Sequence, residues 1–116
     1  MEDAKETLQK AGKNDRFYKD DKYVKTACGI AYNGVLKALD GYFLLKGIEK
    51  TKDRKSINYY YEILSRLDKR MLNNLHDAYE VLHLLGYYDG ILNISIVENG
   101  ISVAYNIIDK IKPSEA

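Results

Sequence analysis

The chain has 116 residues, of which 46% are hydrophobic and 30% are charged, with 18 Lys and Arg against 17 Asp and Glu. This length fits one domain, residues 1–116, with one hydrophobic core. A net charge of +1 excludes charge-driven binding to nucleic acid or an anionic membrane as the default, although it leaves room for a local basic patch. The single cysteine, Cys28, excludes an internal disulfide and a thiolate-rich zinc site.

The sequence predicts neither a secretion signal nor a membrane span. Its first residues are charged and contain no apolar stretch of the kind found in signal peptides. Apolar runs such as residues 42–45 are far shorter than the roughly 20 residues that cross a bilayer. We therefore expect a cytoplasmic protein without a membrane partner.

The first predicted helix is short and covers residues 3–12. Ala4, Leu8 and Ala11 recur at helical spacing, and Asp3 is a suitable N-cap. Such a helix buries one narrow stripe of side chains, and the polar residues that follow end it.

The second predicted helix is much longer, beginning at Asp20 or Asp21 and ending at Lys46. Beside a stripe of large residues it carries a seam of small ones, three or four residues apart: Ala27, Ala31, Gly34, Ala38 and Gly41. Each glycine costs about 1 kcal/mol of helix propensity relative to alanine, so close packing must compensate. Either a neighbouring helix of the same chain or a second copy of the chain fits this seam.

A basic linker, residues 48–55, separates this helix from the next. A solvated loop is the expected interpretation, with a phosphate-binding patch as the alternative. From Ser56 a third helix is predicted to run for about eight turns, with a break near Asp68 as an alternative. Its apolar residues alternate between spacings of three and four: Ile57, Tyr61, Leu64, Leu67, Met71, Leu75, Ala78, Leu82 and Leu85. The turn-forming residues 86–90 end it.

The last segment fits two structures. Alternation around Asn99-Gly100 is typical of a β-hairpin. Helical spacing extends further, to Ile111 with Asn93 as N-cap, and a lone hairpin would have no third strand to pair with. The sequence therefore predicts a helix over residues 94–111. The whole chain is predicted to be an all-α, antiparallel four-helix bundle of one short and three long helices.

The two histidines are the first candidates for chemistry. His76, Glu80 and His83 place three potential metal ligands on one helical face, with Asp40 as the evident carboxylate from another helix. The two histidines lie about 10 Å apart along a helix axis, which is too far for one ion without side-chain bending. We therefore predict no metal ion and no cofactor, and interpret these residues as polar groups at the edge of the core.

Arg70 and His76 form a second candidate pair. Metal-independent RNA cleavage can use such a pair, because histidine moves a proton while arginine stabilises phosphate charge. Their spacing approximates the Arg-x4-6-His motif of HEPN-domain ribonucleases. An offset of six residues on a continuous helix places the two side chains about 120° apart, so a second copy across a two-fold axis would have to bring them together.

Tyrosine is abundant, with eleven residues, some of them clustered at 59–61 and 87–88. Three consecutive helical residues spread over about 200°, so at least one tyrosine of the first cluster lies outside the core. Exposed tyrosines are favoured at protein interfaces, and packing at the rim of the bundle is the alternative.

Two stretches, residues 17–40 and 78–90, resemble a family of short bacterial proteins of unassigned function. The resemblance implies an all-helical arrangement similar to HEPN domains and related four-helix domains. It also implies that a shared binding site or interface would use the hallmark residues Tyr23, Tyr32, Asp40, His83, Tyr87, Tyr88 and Asp89. A network of tyrosine hydroxyls with Asp40 and His83 that holds helices together accounts for these residues equally well.

These observations predict a non-catalytic helical bundle that acts as a homodimer or as a protein-interaction module. The alternative is a HEPN-like, metal-independent ribonuclease, or the inactive relative or partner of one, with Arg70 and His76 as its catalytic pair and RNA as its substrate. The near-zero net charge places the ribonuclease second.

Overall fold

The computed structural model describes residues 2–48 and 56–111. In chain order they form α1 (Glu2–Gln9), a hairpin of β1 (Lys13–Asn14) and β2 (Phe17–Tyr18), α2 (Asp21–Leu45), α3 (Ile57–Leu67), α4 (Lys69–Ala78), a π-helix (Tyr79–Tyr88) and α5 (Ile94–Ile111). The prediction of a mostly helical chain is confirmed. The described residues, however, hold five α-helices and one π-helix where four helices are expected. Of the basic linker predicted over residues 48–55, all but Ile48 lies outside the described residues.

Helix α2 is central to the packing. It contacts α1, α5 and the π-helix, while α4 contacts α3, α5 and the π-helix. Full burial of one such aliphatic side chain contributes about 1.5–3 kcal/mol, so the helices are held mainly by apolar contact. The largest fully buried side chains come from α2, α3, α4, the π-helix and α5: Val24, Cys28, Val35, Leu39, Leu64, Leu75, Leu82, Val97 and Ile107.

Side-chain caps begin the two long helices where the sequence places them. Asp20 accepts a hydrogen bond from the Lys22 N–H at 3.0 Å, and Asn93 accepts one from the Ile96 N–H at 3.1 Å. These bonds satisfy N–H groups that have no partner within the helix. The helical interpretation of residues 94–111 is confirmed. The cap predicted for α1 is wrong, because that helix already begins before Asp3.

The third predicted helix, residues 56–85, changes structure twice. Asp68 has an extended backbone that ends α3, and its carboxylate accepts a hydrogen bond from the Met71 N–H at 3.1 Å, which caps α4. The alternative of a break near Asp68 is therefore confirmed. At Tyr79 the chain continues as a π-helix, which includes Gly86 and ends at Tyr88. The turn predicted over residues 86–90 thus begins later than expected.

The break at Asp68 changes which side chains of α3 face the core. Tyr60, Ile63 and Leu64 are buried, whereas Leu67 is 39% exposed. The seam predicted for α3 is confirmed at Leu64 and in part at Ile57 and Tyr61, which are half-buried against the core. It is wrong at Leu67, because the prediction assumes a helix that continues across Asp68. Beyond the break Leu85 is half-buried, and the other predicted residues are buried: Met71, Leu75, Ala78 and Leu82.

A small hairpin between α1 and α2 was not predicted. Lys13 pairs with Tyr18 and Asn14 pairs with Phe17, in antiparallel register. The hairpin also joins the segment before α5, because the Tyr18 N–H donates to the Leu92 carbonyl at 2.8 Å. It therefore ties the entry of α2 to the entry of α5.

The small-residue seam of α2 packs within the chain over its first part. Ala27, Cys28 and Ala31 are fully buried, and Gly86 of the π-helix lies against the Cys28 side chain. This contact favours the interpretation as packing within one chain. Gly41, at the other end of the seam, has no neighbouring atom within 4 Å of the position that a Cβ would take.

Gly86 and Gly41 give a matched pair of glycine substitutions. In Gly86→Ala the new methyl would overlap the Cys28 sulfur and lie 2.9 Å from Cys28 Cβ and 3.1 Å from the Val81 carbonyl oxygen. We expect a loss of about 1–3 kcal/mol in the free energy of unfolding, typical of overpacking. In Gly41→Ala we expect a gain of up to about 1 kcal/mol from helix propensity. Urea unfolding of both variants measures the two changes, and a neutral Gly86→Ala would contradict the close contact.

Candidate functional site

The π-helix aligns three aromatic side chains. Because its hydrogen bonds join residues five apart, one turn takes just over four residues instead of 3.6, so residues four apart lie close to one line. The His83 ring stacks on Tyr79, with centroids 5.2 Å apart, and on Tyr87, with centroids 6.1 Å apart and planes 4° from parallel. A π-helix of more than one turn is rare, and π-helical segments are frequent at functional sites.

Rings from three other helices join this line. Tyr32 of α2 stacks on His83, with a centroid distance of 4.7 Å. Tyr61 of α3 meets Tyr79 edge-on at 6.3 Å and stacks on His76 of α4 at 4.0 Å. Contacts of this kind contribute about 0.5–1.5 kcal/mol each beyond burial. We call these six residues the aromatic stack: Tyr32, Tyr61, His76, Tyr79, His83 and Tyr87.

Two glycines allow α2 and the π-helix to approach closely beside the stack. A Cβ on Gly29 would lie 3.2 Å from the Tyr87 ring, and Gly86 lies against Cys28. The Cys28 thiol is fully buried, and burial raises its pKa to about 11. It is therefore protonated and unreactive at neutral pH, and its role here is packing.

The stack has a buried inner side and an exposed outer side. Tyr32 is buried, whereas Tyr87 is 47% exposed and the neighbouring Leu84 is 40% exposed. Desolvation lowers the pKa of His83 and raises the pKa of Tyr32 to about 12. Burial likewise raises the pKa of Tyr61. These three rings are therefore uncharged at neutral pH.

Three of the hallmark residues meet in the stack, namely Tyr32, His83 and Tyr87. Asp40 lies eight residues further along α2, about 12 Å away along the axis, and accepts a hydrogen bond from the Tyr60 hydroxyl at 3.0 Å. Burial and, after it, this bond raise the pKa of Tyr60 above its ordinary value.

The remaining hallmark residues lie elsewhere. Tyr23 is half-buried near the start of α2, with the Lys22 ammonium 5.6 Å from its ring centroid. Asp89 is exposed and follows the last residue of the π-helix. The prediction for the side chain of Tyr88 lies outside the described residues. The ring contacts therefore join three of the hallmark residues, and a site shared by the whole set stays a prediction.

The predicted catalytic pair does not converge within one chain. Arg70 and His76 are both exposed, and α4 is a continuous α-helix from Lys69 to Ala78. The offset of six residues therefore keeps them about 120° apart. His76 instead stacks on Tyr61.

Neither a metal cluster nor a membrane span is found in residues 2–48 and 56–111. No three His, Cys, Asp or Glu side chains of these residues form a group that could hold a metal ion. None of the helices in these ranges has the length and apolar character needed to cross a membrane.

Sequence reasoning identified half of the stack and missed the rest. Tyr79 is not among the predicted site residues, Tyr61 is predicted only as an apolar residue of the third helix, and His76 is predicted only as a polar group at the edge of the core or as a catalytic or metal-binding alternative. The spacing Tyr79-x3-His83-x3-Tyr87 is a signal in the sequence. It indicates three aromatic rings on one helical face, which is also the pattern that suggests metal ligands.

Comparisons with known proteins agree on the fold and leave the activity open. A family model described as a domain of unknown function, DUF5618, matches residues 1–113. The chain is also similar to a solved protein of unknown function from Dyadobacter fermentans, with a TM-score of 0.86 and 45% sequence identity. The similarity covers 95% of this chain and 86% of that one. No curated protein matches the sequence significantly.

The lowered pKa of His83 makes stability depend on pH. Between the ordinary histidine pKa of about 6.5 and the lower value in the folded chain, the unfolded chain binds more protons. Stability is therefore full above pH 6.5 and falls as the pH drops through this interval.

In His83→Phe, which keeps a ring in the stack, we expect a smaller loss of stability over the same drop in pH. Urea unfolding on both sides of pH 6.5 measures the difference, and Tyr79→Phe, which keeps His83, serves as the control. Equal losses in the wild type and His83→Phe would contradict this assignment.

Proposed function

The chain belongs to the DUF5618 family of domains of unknown function, and we propose that it is a non-catalytic interaction module that forms a homodimer through the aromatic stack. The observation that supports the proposal is the exposed outer side of the stack. Tyr87 of the stack is 47% exposed, and Leu84, the residue that follows His83, is 40% exposed. Exposed apolar patches of this kind are typical of protein interfaces, and tyrosine is enriched among the residues that dominate binding.

The ring contacts within the stack hold its side chains in place, and this favours binding. His83 is in ring contact with Tyr32, Tyr79 and Tyr87. Side chains that are already held by neighbours lose little conformational freedom when a partner binds, so less binding free energy is spent on ordering them. The neutral His83 ring also avoids the cost of burying a charge.

A second copy of the chain is the partner that the charges favour. With a net charge of +1, two copies repel each other very little. A two-fold axis beside the π-helix would place Tyr87 and Leu84 of one copy against the same residues of the other, which is a self-complementary interface. A protein of different sequence is the alternative occupant of this surface.

The ribonuclease is the second candidate function, together with the HEPN-like four-helix arrangement that the resemblance implies. The observation that favours it is the position of His76, which is exposed and belongs to the stack. In a homodimer through this surface, His76 of one copy approaches the partner subunit. Arg70 of the two copies would then have to lie near it to stabilise phosphate charge.

Charge introduction tests the homodimer. We expect the wild type to sediment as a dimer and Leu84→Lys to shift the equilibrium to the monomer by at least tenfold in dissociation constant, because a lysine would be buried at the interface. Leu45→Lys is the matched control, since Leu45 is 72% exposed at the end of α2 and lies outside the stack. Sedimentation equilibrium over a concentration series gives the constants. A monomer at every concentration, or dissociation by Leu45→Lys alone, would contradict the proposal.

An RNA cleavage assay separates the two candidates. We expect the purified chain to leave single-stranded and structured RNA intact, because the net charge of +1 provides little attraction to phosphate. His76→Ala and Arg70→Ala, both at exposed positions, are the comparison variants. Cleavage by the wild type that is lost in both variants would establish the ribonuclease instead.

A further inference from the structure

A cavity with an opening to solvent lies between α1, the hairpin and α5, apart from the aromatic stack. Its volume is about 430 Å³, within the range of small-molecule sites. Part of its wall is apolar, because Leu8 of α1, Tyr18 of β2 and Ile101 of α5 line it and are each at most 8% exposed. We call it the α1–α5 groove.

Charged side chains stand at the rim of the α1–α5 groove. Glu98 accepts hydrogen bonds from the Lys13 ammonium and from the Tyr18 hydroxyl, each at 3.4 Å. The Lys5 ammonium lies 4.0 Å from the centroid of the Tyr105 ring. The rim therefore has two cations and one carboxylate, and that carboxylate is already paired with a lysine and a phenol.

Two uncharged polar side chains also line the rim. Gln9 and Ser102 line the groove and contribute an amide and a hydroxyl. Burial and the nearby Glu98 raise the pKa of Tyr18 to about 12, so its phenol is protonated at neutral pH and donates its proton to Glu98. Apart from Glu98, each of the charged side chains that line the groove is a cation.

From this combination we infer that the α1–α5 groove binds a small amphipathic carboxylate, with its anionic head at Lys5 and Lys13 and its apolar body against Leu8 and Ile101. A body of roughly ten carbon atoms suits a cavity of this size. The two lysines supply the charge complementarity, and the apolar wall supplies the hydrophobic contribution.

The rim pair of Lys13 and Glu98 can exchange partners. Their side chains are 56% and 53% exposed, and an ion pair as exposed as this contributes at most about 1 kcal/mol. Lys13 can therefore turn from Glu98 to a bound carboxylate at little cost. The carboxylate of Glu98 then repels the bound anion, so a substitution that removes its charge should strengthen binding.

Three probes of equal length and different head groups test the charge selectivity. Calorimetric titration of the full chain compares decanoate, decanol and decylammonium, all below the concentrations at which they form micelles. We expect decanoate to bind at least tenfold more tightly than decanol, and decylammonium to bind more weakly than both. Equal affinity for the three probes, or a preference for the ammonium, would overturn the inference.

Amide chemical shifts show where the probe binds. We expect decanoate to shift the signals of Gly12, Ile101 and Ser102, which line the groove. Shifts confined to Leu84 and Tyr87 would assign the binding to the aromatic stack and overturn the inference. The oligomeric state is measured in the same samples, so the binding site in the groove and the proposed homodimer are tested independently.

Substitutions at the rim test the roles of the individual charges. We expect Lys5→Gln and Lys13→Gln each to weaken decanoate binding several-fold, and Glu98→Gln to strengthen it, because it removes a repulsive carboxylate. Lys37→Gln, at an exposed position of α2 outside the groove, is the matched control and should leave binding unchanged. Unfolding by urea confirms that each variant is folded. Weaker binding in Glu98→Gln, or no effect of either groove lysine, would contradict the inference.

Discussion

The close approach of α2 to the π-helix is the contact on which the rest of the structure depends. It is possible because Gly86 has no side chain and because the residue opposite it is Cys28, whose small thiol is fully buried. A larger residue at either position would separate the two helices. The ring of Tyr87 rests on Gly29 for the same reason. The position of the aromatic stack is therefore a consequence of small residues on α2.

The contact also explains why the chain tolerates a π-helix. Ten π-helical residues give up the usual α-helical hydrogen-bond pattern, and an isolated segment of this kind would be unfavourable. Ring contacts along one side of the segment and burial of Leu82 on the other compensate for this loss. The stack is thus both a product of the π-helix and part of what stabilises it.

The sequence allowed the ends of the long helices to be predicted, because these depend on local chemistry. Asp20 and Asn93 cap their helices through hydrogen bonds to residues two or three positions away. The 3/4 spacing of apolar residues likewise decided between a hairpin and a helix for residues 94–111. Where structure depends on partners distant in the chain, prediction failed. The hairpin of β1 and β2 depends on the Leu92 carbonyl, about 75 residues away, and neither strand has more than two residues.

The candidate site was predictable only in part for a related reason. Spacing places Tyr79, His83 and Tyr87 on one face, but it does not show whether such a face binds a metal, a partner or its own neighbours. That choice depends on rings that arrive from other helices, since Tyr32 stacks on His83 and Tyr61 meets Tyr79 edge-on. Carboxylates would favour a charged imidazole or a bound cation, whereas burial among phenol rings lowers the pKa of His83.

The aromatic stack and the α1–α5 groove differ in charge, but one short part of α5 both contacts the π-helix and lines the groove. Gly100 of α5 lies against Val81 of the π-helix, 2.5 Å from the position of its absent Cβ to Val81 Cγ1. Two residues before it, Glu98 reaches the rim of the α1–α5 groove, and Ile101 directly after it forms part of the apolar wall. A short piece of α5 therefore faces the π-helix with its smallest residue and the groove with its charged and branched ones. Helical periodicity alone separates the two surfaces, because successive residues of one helix point about 100° apart.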